Sequence, residues 1–155
     1  METRTKIRID DCPGMRKELE TVYGQATQVV LARWGLKLAK HVLLLAGFDW
    51  SGCLEVKNGF AANEAWQRGE ARVYDVRQAG FAVHRLARGC ASETLQAALR
   101  TAGQAVGTGH MREHAMVASD YAVRTVNLLH PGDLSAVVTE RNWQIRTLRL
   151  CLGNS

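Results

Sequence analysis

The sequence has only two prolines in 155 residues and no stretch in which apolar and polar residues keep alternating. Without that period-two signal a half-buried sheet has nothing to be built from, and with so few helix breakers long helices can run on. Four cysteines are present, Cys12, Cys53, Cys90 and Cys151, but none forms a C-x-x-C pair, which argues against a thiolate zinc site. Met1 to Asp11 alternates charges around no apolar core, so a signal peptide is not expected. Scattered thiols without such a signal point to a reducing cytoplasm. The most apolar stretch, Val29 to Phe48, carries Arg33, Lys37, Lys40 and His41. It reads as a buried amphipathic helix, not a membrane span, and no membrane partner is expected.

Several chemistries lack their residues. There is no glycine-rich phosphate loop closed by Lys-Ser or Lys-Thr, no serine nucleophile elbow, and no Glu-x-x-His pairs of a di-iron bundle. Cys53 and Cys90 have no identifiable base beside them and read as packing residues. The expectation is a protein with no catalytic residues and no cofactor.

What is present is ordinary globular material, 46% apolar and 23% charged, enough for one domain over residues 1–155 with a short N-terminal arm over about 1–12. The net charge of +5 and a pI near 9.3 favour an anionic partner. The excess is too modest to make nucleic acid the expected one. A homodimer stays open.

Helical periodicity runs almost from end to end. Asp10 and Asp11 before Pro13 mark a start for a short helix over Met15 to Tyr23. A long helix follows over Gln25 to Leu45, with Val29, Val30, Trp34, Leu38, Val42 and Leu45 inward, and a loop over Gly47 to Gly52. Leu54 to Gln67 buries Val56 and Phe60. Ala71 to Arg88 is cleanly amphipathic: Val73, Val76, Gly80, Val83, Ala87 and Cys90 share one stripe, and Arg72, Arg77, Arg85 and Arg88 frame the outside. Ser92 caps a helix over Glu93 to Gly107 whose small inward residues allow close approach, which places it near the middle. Further helices span Arg112 to Leu129 and, after His130-Pro131-Gly132 and a cap at Asp133 or Ser135, run on to about Leu150. The expected fold is all-α, a compact array of about six or seven helices with more than about 65% helix and no sheet.

The sharpest local pattern is His110-Met111-Arg112-Glu113-His114. H-x-x-E-H supplies two zinc ligands and a base in one class of peptidases, but there both histidines sit on one continuous helix. Here Gly107-Thr108-Gly109 breaks the chain just before, and no third ligand is marked, so no metal is expected; His110 and His114 would be the ligands if one bound. On the helical wheel His114 shares a stripe with Val117, Ala118, Tyr121, Ala122 and Thr125, while Glu113 points away. A histidine on an apolar stripe is more often hydrogen-bonded core than ligand. His84, His110, His114, Tyr121 and Gln104 are therefore expected to meet in a polar cluster that either fixes helix register or binds a ligand. Trp34, Trp66 and Trp143 read as core. Trp50, beside Asp49 in a loop, reads as an exposed anchor.

The segments AWQRGEARVYDVRQAGFAVHRLAR, AALRTAGQAVGTGHMREHAMVASDYAVRTVN and ERNWQIRTL together resemble the all-helical immunity protein family of bacterial polymorphic toxin systems. The matching positions are Ala65-Trp66, Gly69-Glu70, His84, Ala102-Gly103-Gln104-Ala105, Thr108, His110, His114-Ala115, Tyr121-Ala122, Glu140-Arg141 and Trp143-Gln144. Val83 stands where the family often has alanine, and the Arg-Pro often seen in relatives is missing from Leu54 to Asn63. The resemblance spans Gln25 to Leu148. It implies a helical protein that protects its producer by binding a cognate toxin stoichiometrically, without catalysis or cofactor. The alternative from another class is a helical small-ligand or metal-binding protein using a pocket at His84, His110 and His114.

Overall fold

The computed structural model describes residues 3–153. It is all-α, with 77% of the described residues in helix and no strand among them. Seven α-helices occur in this region: α1 (Pro13–Gly24), α2 (Gln28–Leu45), α3 (Leu54–Gln67), α4 (Val73–Arg88), α5 (Glu93–Val106), α6 (His114–Leu129) and α7 (Leu134–Gly153). Short 3-10 turns precede α3 and follow α5.

Side chains decide where four of the helices begin. Thr27 accepts the Val30 amide at 3.2 Å and starts α2 three residues later than the apolar period implies. Asp75 accepts the Arg72 amide at 3.1 Å and also grips its guanidinium, which makes Arg72 the boundary residue of α4 in place of Ala71. Ser92 caps α5 and Asp133 caps α7. α6 begins at His114, not Arg112, because the chain is still turning after Gly107–Gly109.

α5 packs against α2, α4 and α6 at once. Glycines permit this: a Cβ on Gly80 would lie 3.3 Å from the Gly103 carbonyl, and one on Gly35 would lie 3.4 Å from Ala105. The core joins Leu31, Trp34, Leu38, Val56, Phe60, Val83, Leu99, Met116 and Leu148 into one continuous cluster. Residues at the ends of the expected inner stripes fall outside it. Val73 and Leu45 are 47% and 46% exposed, because they are the first residue of α4 and the last of α2, where the stripe overruns the packed neighbour. The N-terminal arm is tied down. Asp10 and Asn127 exchange two hydrogen bonds at 2.9 and 3.0 Å, and Thr3 bonds Glu20 on α1.

Candidate functional site

Two polar clusters lie within the bundle. The first joins α4, α5 and the start of α6 around three of the expected residues. His84 sits on the bare backbone of Gly103: a Cβ there would come within 2.6 Å of the ring. One turn on, Gly107 supports His114 in the same way, at 3.3 Å. Gln104, between them, links the two imidazoles. His114 Nδ1 lies 2.6 Å from Gln104 Oε1, and Gln104 Nε2 lies 3.5 Å from His84 Nε2. Arg100 closes the other side, its guanidinium donating to His84 Nδ1 at 3.1 Å.

A guanidinium can only donate, so His84 Nδ1 accepts and the ring proton belongs on Nε2, facing Gln104. A half-turn of the Gln104 amide would present its oxygen to that proton and its NH2 to His114 Nδ1. Donors would then run in one direction, from Arg100 through His84 and Gln104 to His114, with the last proton on His114 Nε2. Burial, helped by Arg100, His114 and Arg88, pushes the His84 imidazole down to about 4. Burial, then His110 and Lys6, lowers His114 as well, against an opposing effect of Glu113. Both rings are thereby held neutral.

The remaining expected members stand apart. The His110 ring lies 5.7 Å from that of His114, centroid to centroid, at 30°. Among the described residues its nitrogens, like His114 Nε2, have no hydrogen-bond partner. Tyr121 is on the predicted stripe but seven residues further along α6, roughly 10 Å up the axis. It lines a shallow groove with Arg100 and Arg124 and bonds none of the histidines. His110 and His114 do not share a helix, so the H-x-x-E-H letters do not adopt the peptidase arrangement. No group of three or more His, Cys, Asp or Glu side chains among the described residues is placed to hold a metal ion. Trp50 is half-buried, not exposed; its ring meets Phe60 edge-on at 5.1 Å.

The second cluster was not anticipated. Arg141 on α7 is fully buried, and its guanidinium makes five hydrogen bonds. Two go to the Asp11 carboxylate, at 3.0 and 2.7 Å, and one to Asp120, at 2.9 Å. The others reach Ser119 at 3.2 Å and Gln144 at 2.9 Å. Asp120 also receives both forks of Arg16, each at 2.9 Å. Gln144 donates to Glu140 at 2.8 Å, and Glu140 meets His41 at 2.7 Å. His41 stacks on Trp143 at 3.8 Å. Burial pushes the Asp11 carboxyl up, but the Arg141 guanidinium outweighs this and holds it below the usual range. The one sequence signal for this network was the motif Glu140-Arg141-x-Trp143-Gln144.

The family model described as "Imm-5 like putative immunity protein" matches residues 21–150. No curated protein and no solved structure matches the chain.

Proposed function

Because the chain belongs to the Imm-5-like immunity protein family, we propose that it binds a cognate toxin and neutralises it stoichiometrically, by covering the toxin's active site or the path of its substrate. The observation that carries this reading is the family match over residues 21–150. It takes in both polar clusters except Asp11 and Arg16. The Arg141 network is internal structure in this reading: all five guanidinium donors are engaged within the fold. With a charge of +5 the chain is a poor mimic of nucleic acid, so the toxin surface it fits is acidic or neutral.

Expressing the product of the adjacent open reading frame, with and without this chain, tests the reading. Restored growth together with an equimolar complex is the expected result; unprotected cells would overturn it. A second reading, a small-ligand site at His84, His110 and His114, is favoured by the unpartnered nitrogens of His110 and His114. It requires that His114→Ala abolish ligand binding while folding stays intact.

A further inference from the structure

The outer face of α4 carries residues that a solvated helix does not need. Val76, Gly80, Val83 and Ala87 face the core. On the opposite side Tyr74, Phe81, Arg85 and Arg88 fall within about 60° of one another, at roughly 100° per residue. Tyr74 is 60% exposed and Phe81 42%. Arg77 stands beside this stripe with its guanidinium 5.4 Å from the Phe81 ring. Arg77, Arg85 and Arg88 are exposed and form no ion pair among the described residues, whereas Arg72 is held by Asp75.

A helix face that only needs solvation takes lysine, glutamate and glutamine. This one holds two large aromatic rings between three uncompensated arginines, and its one carboxylate, Asp75, is spent on the cap. Tyrosine and arginine dominate the energetics of protein interfaces, since they combine apolar area with directed donors.

Resting on the immunity reading above, we infer that the Tyr74–Arg77–Phe81–Arg85–Arg88 stripe is the toxin-docking surface, and that it takes an acidic protein surface bearing an apolar patch. Charge complementarity selects this occupant. A second copy of the chain, related by a twofold axis, would set the same arginines against one another. A nucleic acid strand would be drawn to the cations, but the whole-chain excess of +5 is small for that role.

The test uses the full chain. Arg77→Glu/Arg85→Glu reverses two of the three cations, Tyr74→Ala/Phe81→Ala removes the rings at constant charge, and Lys37→Glu/Lys57→Glu is the charge-matched control elsewhere on the surface. All six side chains face solvent, so melting curves should match the parent. In cells carrying the adjacent toxin, the two stripe variants should lose protection and bind roughly 30-fold or more weakly. The lysine control should protect. If the parent protects and the stripe variants do too, the surface is overturned while the immunity reading stands. If the parent itself fails to protect, the immunity reading falls, and a titration decides the surface. There a polyglutamate peptide should bind the parent and the lysine control but not Arg77→Glu/Arg85→Glu. Preference for a single-stranded oligonucleotide of equal length, or equal loss in the lysine control, would overturn the proposal.

Discussion

The Arg141 network and the histidine cluster are both polar groups sunk between helices, yet they are finished to different degrees. Around Arg141 every donor has an acceptor, and the carboxylates Asp11 and Asp120 balance the guanidiniums of Arg141 and Arg16. Around His84 the chain of bonds ends in the open, at His114 Nε2 and the His110 ring. A closed network specifies one arrangement of α1, α6 and α7, because any shift strands a buried charge. An open one tolerates adjustment at its free end. The contrast assigns strong register control to the first and leaves the second as the softer joint between α4, α5 and α6.

Arg141→Met should break this comparison most sharply. It leaves the buried Asp120 and the part-buried Asp11 short of their shared partner, and should cost about 3–5 kcal/mol of stability in denaturant titration. A loss below about 1 kcal/mol would mean that water enters the network freely. Gly103→Ala is next. Its methyl would land 2.6 Å from the His84 ring, so a cost of about 1–3 kcal/mol is expected. Adding His84→Ala should return much of that cost, and purely additive effects would show that the ring is not the obstacle.

His114→Ala sharpens the other side. As a register contact, its loss leaves the Gln104 amide short of a partner and should lower the melting point by several degrees, roughly 1–3 kcal/mol. An unchanged midpoint would make the cluster a ligand site. The last test is in pH. His84 titrates at about 4 in the fold against an ordinary 6.5, so between those values the unfolded chain binds a proton that the folded chain refuses. Stability should therefore fall as pH drops from 6.5 towards 4, and His84→Gln should flatten that limb. Asp11 changes stability in the same direction at lower pH: its depressed carboxyl stabilises the fold above the ordinary 3.8, and that contribution is lost as pH falls from there through its lower folded value. The steep acid limb below 3.8 should survive in His84→Gln.

The helical class and the central place of α5 were legible, because apolar period and small-residue content act locally. The union of His84, Gln104 and His114 was legible for the same reason: wheel positions and glycines put three polar groups on facing surfaces. Tyr121 was misjudged because a wheel gives azimuth and not height. Helix starts were missed where a side chain decides them, as Asp75 does for Arg72. Trp50 lies next to a capping aspartate in a loop, yet the 3-10 turn folds its ring back onto Phe60. The Arg141 network was hidden for a different reason. Glu140, Arg141 and Gln144 look solvent-facing by residue type, and their polarity erases the apolar period of the helix that buries them. The acceptors Asp11 and Asp120 are 130 and 21 residues away, and no local rule reaches the first.

That long span has a consequence for biosynthesis. Asp11 precedes Arg141 by 130 residues, so it leaves the ribosome well before its partner. Until Arg141 is made, Arg16 alone offsets Asp120, and the Asp11 carboxylate lacks its ion-pair partner even where Asn127 already holds Asp10. α1 can reach α7 only once the latter exists, so late synthesis locks what was made early. The order of synthesis thus makes the contacts of α7 the last of this network to form.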